Sequence, residues 1–188
     1  LATNENDILT RFFKTGEYRR GPVKATLSPS MDIQVASNFE RYLFYRADRQ
    51  PARVKAWMKE FGARGAVQIP APVTSPESDP LVSGMCDTEA TLATIRRVYE
   101  QHHYLLDPHS AVGVHVSGAF LAPDAPMICL ATAHPAKFPD AILRATGQDL
   151  AHHPAIEALK TLPVRSYTLP PDVRRIRDFI SNAVQTVS

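Results

Sequence analysis

Little in this sequence favours one sign of charge. Against 21 Lys+Arg stand 19 Asp+Glu, a formal net charge of +2 over 188 residues. That balance excludes both the basic footprint of a nucleic-acid binder and the polybasic patch that holds a protein to an anionic membrane. Cysteine is scarce, with Cys86 and Cys129 alone. Both sit beside apolar or small neighbours, so two free thiols point to a reducing compartment, the cytoplasm, rather than to a disulfide framework. No hydrophobic run approaches the ~20 residues of a membrane span, and no basic-then-apolar leader opens the chain. Internal repeats and low-complexity segments are missing, as are a nucleophile elbow, a phosphate-binding Gly-x-x-x-x-Gly-Lys loop and a Gly-x-Gly-x-x-Gly fingerprint. Among seven histidines, the pairs His102-His103 and His152-His153 are adjacent. Adjacent side chains on a helix diverge by about 100°, and with no His-Glu-x-x-His or Cys-x-x-Cys motif no metal site is expected.

What remains is ordinary globular composition, 44% hydrophobic, enough for one domain with a real core. Leu1-Ala2-Thr3 reads as the tail of a buried strand, so the chain is expected to continue a longer protein. Asn4 or Asn6 can cap a helix carrying Ile8, Leu9, Phe12 and Phe13, with Gly16 as its left-handed stop. A second helix is expected from about Gln34 to Phe44. A third starts with Pro51 in its first turn and ends at Gly62. Four prolines between Pro70 and Pro80 mark a loop, and Asp87 caps a longer helix through Tyr99. Asp107-Pro108 opens another, whose small residues Ala111, Gly113, Gly118 and Ala119 suit close approach of a backbone or a flat ligand. Pro126 to Thr132 is the best strand in the sequence, continuously apolar as a doubly covered strand should be. Pro139 starts a helix stopped by Gly147. A last amphipathic helix from Pro171 sets Val173, Ile176, Phe179, Ile180 and Val184 on one side, most simply to pack on neighbours. The fold class is therefore α/β, helix-rich, with a short, incomplete, mostly parallel sheet. Residues 1–188 read as one unit, with about 150–188 a C-terminal extension ending in a helix.

Chemistry is expected where apolar elements end in polar residues. The run 126–132 finishes in Thr132-Ala133-His134-Pro135-Ala136-Lys137, and ligands of open α/β sheets bind beyond the carboxyl ends of strands. The Thr132 hydroxyl either meets a ligand or caps the turn; spacing alone leaves both open. Asp107-Pro108-His109-Ser110 begins a helix whose N-terminus favours anions, although an ordinary N-cap explains the same residues. Thr3-Asn4-Glu5-Asn6-Asp7, where a strand enters a helix, carries the same ambiguity.

These segments resemble the threonine synthase family. The matching residues are Ala2-Thr3-Asn4-Glu5-Asn6-Asp7, Ser28-Pro29-Ser30-Met31-Asp32-Ile33 with Ser37-Asn38-Phe39-Glu40-Arg41, Asp107-Pro108-His109-Ser110-Ala111-Val112-Gly113, and Ala131-Thr132-Ala133-His134-Pro135-Ala136-Lys137-Phe138-Pro139. Four segments in family order are a specific signal; the tail after about residue 150 is less distinctive.

The resemblance implies the C-terminal part of the large domain of a fold-type-II pyridoxal-phosphate (PLP) enzyme. The reaction it implies turns O-phosphohomoserine and water into threonine and phosphate, with protons leaving Cα and Cβ, phosphate leaving Cγ and water adding at Cβ. It also implies that the Schiff-base lysine and the loop for the cofactor phosphate lie upstream of Leu1, so no catalytic residue is expected in this chain. None of Lys14, Lys24, Lys55, Lys59, Lys137 and Lys160 has the family's Schiff-base context; Lys137, inside a matched segment, is read as structural or pocket-lining. Thr132 maps onto the family's hydroxyl partner of the pyridine nitrogen. Asp107 and Ser110 are implied beside the cofactor, and Asn4, Asn6 and Asp32 on the substrate side. The chain by itself is expected to be inactive and to self-associate through surfaces that the missing part would cover. The rival expectations are another fold-type-II PLP lyase, of the threonine or serine dehydratase kind, and a non-catalytic α/β interaction domain.

Overall fold

The computed structural model describes residues 1–70 and 80–185. The loop expected between Pro70 and Pro80 lies, but for its two ends, outside the described residues. The chain divides into two compact units, Leu1–His153 and Pro154–Ser188.

In the first unit, β1 (Ala2–Thr3) pairs in parallel with β4 (Gly84–Met85), Ala2 opposite Gly84 and Thr3 opposite Met85. Thr10 anchors this pair: its hydroxyl donates to the Gly84 carbonyl at 2.9 Å and lies 2.8 Å from the Thr3 hydroxyl. A second, antiparallel pair, β2 (Glu17–Arg19) with β3 (Ala66–Gln68), was not anticipated. Three-residue strands are too short for alternation to be read from sequence. The expected helix-rich α/β fold with a short parallel sheet is what the chain adopts.

Helix α1 (Ile8–Thr15) buries Ile8, Phe12 and Phe13 and stops at Gly16, whose φ of 76° is left-handed and whose N–H closes on the Phe12 carbonyl. Its core partners are Tyr18, Phe39, Leu43, Val54, Phe61, Val67 and Ile69, drawn from α2 (Phe39–Arg46), α3 (Pro51–Arg64) and the antiparallel pair. Phe12 meets Phe39 edge-on at 4.7 Å between ring centres, the geometry aromatic quadrupoles favour. Three expected boundaries move. Asn4 and Asn6 do not cap α1, which follows Asp7 without a side-chain cap, because their side-chain carbonyls already accept the Asn6 and Lys24 N–H groups. Helix α2 starts later than Gln34, since Gln34 turns inward to accept from the Gly21 N–H and the Ala36 N–H donates to the Tyr18 hydroxyl. Gly62 lies within α3; the left-handed stop is Gly65, φ 68°.

A second core joins α4 (Thr88–His102), α5 (Pro108–Ser117) and α6 (Pro139–Thr146) through Leu92, Ile95, Leu106, Ala111, Ile142 and Ala145. Asp87 caps α4 by accepting from the Ala90 N–H, and Gly147 stops α6 at φ 72°. A third cluster, Cys86, Val112 and Val116 with Ala2, Met31 and Ala90, packs α5 onto the parallel pair. Residues 126–132 form no strand. They run extended without a ladder, and Ile128 and Leu130 are each 80% exposed. An apolar run becomes a strand only where a neighbouring backbone takes up its N–H and C=O groups, and the described residues supply none.

The second unit holds α7 (Pro154–Leu159) and α8 (Val173–Gln185). Asp172 accepts from the Arg175 N–H at the start of α8. Of its apolar side only Phe179 is half-buried, its ring 5.0 Å from Tyr167, whereas Val173, Ile176, Ile180 and Val184 are exposed, so the expected packing is not made among the described residues.

A Cβ on Gly84 would fall 2.7 Å from Cγ1 of Val116, whose β-branched side chain is stiff on a helix. Gly84→Ala should therefore destabilise the intact protein by about 1–3 kcal/mol in urea unfolding. In a Val116→Ala background the same change should cost clearly less. Equal costs in the two backgrounds would contradict this contact.

Candidate functional site

A cavity of about 600 Å³ opens along α5, from His109 near its start to Val116 near its end. Its walls include the start of β1, contributing Leu1 and Ala2; the 3-10 turn Pro29–Met31, contributing Ser30 and Met31; α5, contributing His109, Gly113 and Val116; and the extended run, contributing Met127 to Leu130 and Thr132. Lys137 and Phe138 close one side, so Lys137 is pocket-lining. Gly113 has open space where a Cβ would stand, so the small-residue stretch meets the cavity there rather than another backbone. The size and apolar lining suit a small organic ligand held by few polar groups.

Asp107 organises the wall from behind. Its carboxylate is buried and accepts from the His109 N–H at 2.9 Å, the Ser110 N–H at 3.4 Å, the His109 ring at Nδ1 at 3.0 Å, and the Ser110 hydroxyl. This is an N-cap with proline at the first helical position, and the helix dipole favours the negative charge there. The Ser110 hydroxyl spends its hydrogen on Asp107, so its lone pairs are free to accept the Thr132 N–H at 3.2 Å. Thr132 is thereby pinned at the cavity mouth by its main chain. Its own hydroxyl has no partner among the described residues.

The other expected group assembles on the far side of the 3-10 turn. Asp32 accepts from the Asn4 amide at 2.7 Å, the Asn6 amide at 3.1 Å, the Thr26 N–H at 2.8 Å and the Thr26 hydroxyl at 2.7 Å. Asn4 turns its carbonyl back to the Asn6 N–H, and Asn6 also holds both main-chain groups of Lys24. The two clusters are joined, for the Ser30 N–H donates to Nε2 of His109 at 3.3 Å.

All six expected site residues thus fall into one connected network, but they do not share one position. Thr132 lines the cavity; Asp107 and Ser110 stand behind it, and Asn4, Asn6 and Asp32 brace the turn from its far side. Sequence reasoning passed over His109, Ser30 and Thr26. The available signal for His109 was its place two residues after a capping aspartate, where the ring can fold back onto the cap. Of the two free thiols, Cys129 is exposed on the cavity lining, whereas burial pushes the Cys86 thiol above its usual value.

A helix-rich α/β layer with a small-molecule cavity along one helix is the class of protein that these observations define. A family model described as threonine synthase, C-terminal, matches residues 110–180. Threonine synthase of Schizosaccharomyces pombe is 42% identical over 167 residues, covering 76% of this chain and 32% of its own length. The crystal structure of PLP-bound threonine synthase from Brucella melitensis superposes with a TM-score of 0.81 at 40% identity, over 96% of this chain and 39% of that one. The yeast threonine synthase crystal structure gives 0.78 at 36% identity, over 98% of this chain and 42% of that one. This chain belongs to the threonine synthase family. It spans about a third to two-fifths of the length of the curated relatives it matches.

Ser110→Ala would leave the Thr132 N–H without its acceptor and one Asp107 oxygen without its donor. The intact protein should lose about 1–3 kcal/mol in urea unfolding. A loss below about 0.5 kcal/mol, the scale of an ordinary surface change, would mean that the hydroxyl does not tie these elements together.

Proposed function

We propose that the protein to which this chain belongs converts O-phosphohomoserine and water into threonine and phosphate with pyridoxal 5'-phosphate as cofactor. The observation that carries this reading is the convergence of four sequence segments, which contribute residues from Ala2 to Phe138, on the walls of one cavity. The relatives' names and the PLP-bound neighbour support the same chemistry.

The residues present fit the cofactor on one side. The Thr132 hydroxyl stands at the cavity without a partner among the described residues, Gly113 leaves open space, and Met127, Ile128 and Leu130 supply apolar area for a ring. Bound there, the cofactor supplies an electron sink for negative charge developing on the substrate carbons. Thr132 would face the pyridine nitrogen with a neutral hydroxyl, which does not force the ring to carry a proton as a carboxylate would. Asp107 and Ser110 serve beside the cofactor by fixing the Thr132 main chain. Asn4, Asn6 and Asp32 serve the substrate side by holding the Ser30–Met31 turn in place. The two free cysteines favour a reducing, cytoplasmic setting; no described helix is long and apolar enough to cross a membrane. Residues 1–188 belong, in this reading, to one larger cofactor-binding domain, with 150–188 its extension.

In the full-length enzyme, Thr132→Val keeps the side-chain shape and removes the hydroxyl. Cofactor affinity or turnover should fall by roughly 1–3 kcal/mol, and unchanged values for both would remove Thr132 from the site.

Phosphate release from O-phosphohomoserine should appear with the full-length protein and PLP, and not with this chain tested alone. An inactive parent that deaminates serine or threonine instead would replace this reading with a dehydratase. The isolated chain should also associate as its concentration rises, because Ile128, Leu130 and Leu121 are largely exposed.

A further inference from the structure

We propose that His109 is a positioning residue: its imidazole sets the distance between the two walls of the cavity and so the affinity for substrate. The inference rests on the functional reading above and concerns a residue to which that reading gives no role.

His109 is only 8% exposed, its ring lies 4.9 Å from the Phe138 ring, and it lines the cavity. Nε2 accepts the Ser30 N–H at 3.3 Å, so that nitrogen uses its lone pair and carries no hydrogen. The hydrogen of the neutral ring therefore sits on Nδ1, 3.0 Å from Oδ1 of Asp107, and is donated there. This fixes the direction of every link from the turn to the extended run. Ser30 donates to His109 and His109 to Asp107; from the other side, Thr132 donates to Ser110 and Ser110 to Asp107. Both walls hang on one carboxylate, and the imidazole is the spacer on the turn side. Met31 also packs on the Val112–Val116 cluster, but apolar contact is non-directional and fixes nearness rather than register. A hydrogen bond to the Ser30 main chain fixes where the turn stands, and Asn4, Asn6 and Asp32 then act through that turn.

The test uses the full-length holoenzyme and three variants. His109→Gln can place an amide oxygen near the Nε2 position and keep the Ser30 bond. His109→Asn can reach only the Asp107 side. His109→Phe keeps the packing on Phe138 and loses both bonds. For O-phosphohomoserine, KM should rise roughly fivefold to tenfold in the Asn and Phe variants, the size expected for one lost hydrogen bond. It should stay within about twofold in the Gln variant, with kcat less affected in all three. Nitrogen-15 shifts of the wild-type ring should report the hydrogen on Nδ1, and exchange of the Ser30 amide should be fast in the Asn and Phe variants and slow in Gln. A hydrogen on Nε2, or KM and Ser30 exchange rising alike in all three, would overturn the proposal. Should the parent release no phosphate, the functional reading fails by itself, and the tautomer and exchange order still decide whether His109 positions the turn.

Discussion

Everything at the cavity depends on keeping one carboxylate buried. A carboxylate taken out of water costs several kcal/mol unless its oxygens are fully met. Asp107 meets that cost with two main-chain N–H groups, an imidazole and a hydroxyl, all supplied within three residues of itself. The helix dipole adds a favourable field at the same point. Because two of the donors are side chains that have a second hydrogen-bonding face, the satisfaction of Asp107 is passed outward. Ser110 reaches the extended run at Thr132, and His109 reaches the turn at Ser30. A capping interaction that would otherwise be local thus ties segments about eighty residues apart in sequence.

Asp32 repeats the device on the other side of the turn, but with donors from farther away. Asn4 and Asn6 come from the exit of β1, and Thr26 from the chain just before the turn. The two carboxylates hold the turn Pro29–Met31 between them, while α5 packs on the parallel pair through Val112 and Val116. The polar network therefore fixes register, and the apolar clusters supply the area that keeps it dry. The open side is the extended run, whose exposed Ile128 and Leu130 mark where further covering would be most stabilising.

How much of this was legible follows from how local each cause is. Gly16, Gly147, Pro51, Asp87 and Asp107 work on their own turn of helix, and each does what its chemistry dictates. Gly62 misled because a helix tolerates one interior glycine at a cost of about 1 kcal/mol, whereas Gly65, with its left-handed φ, ends α3. Asn4 and Asn6 have the chemistry of caps, but the side-chain carbonyls a cap would use accept the Asn6 and Lys24 N–H groups, while Asp32, more than twenty-five residues on, takes their NH2 groups. The run 126–132 has strand composition without a partner, and no local pattern reports a missing neighbour. At the site, the segments marked by family resemblance line or support one cavity; what the resemblance could not supply was depth. Thr132 faces the cavity, whereas Asp107, Ser110, Asn4, Asn6 and Asp32 stand behind its walls, and His109 joins them by a long-range bond that no spacing rule encodes.

The central claim is that Asp107 couples opposite walls of the cavity, and amide hydrogen exchange on the intact protein with Asp107→Asn tests it most directly. The account predicts faster exchange at Ser30 and at Thr132 together, one on each wall, with the Phe12–Phe39 core unchanged. Acceleration confined to His109 and Ser110, at the start of α5, would show an ordinary helix cap and contradict the coupling.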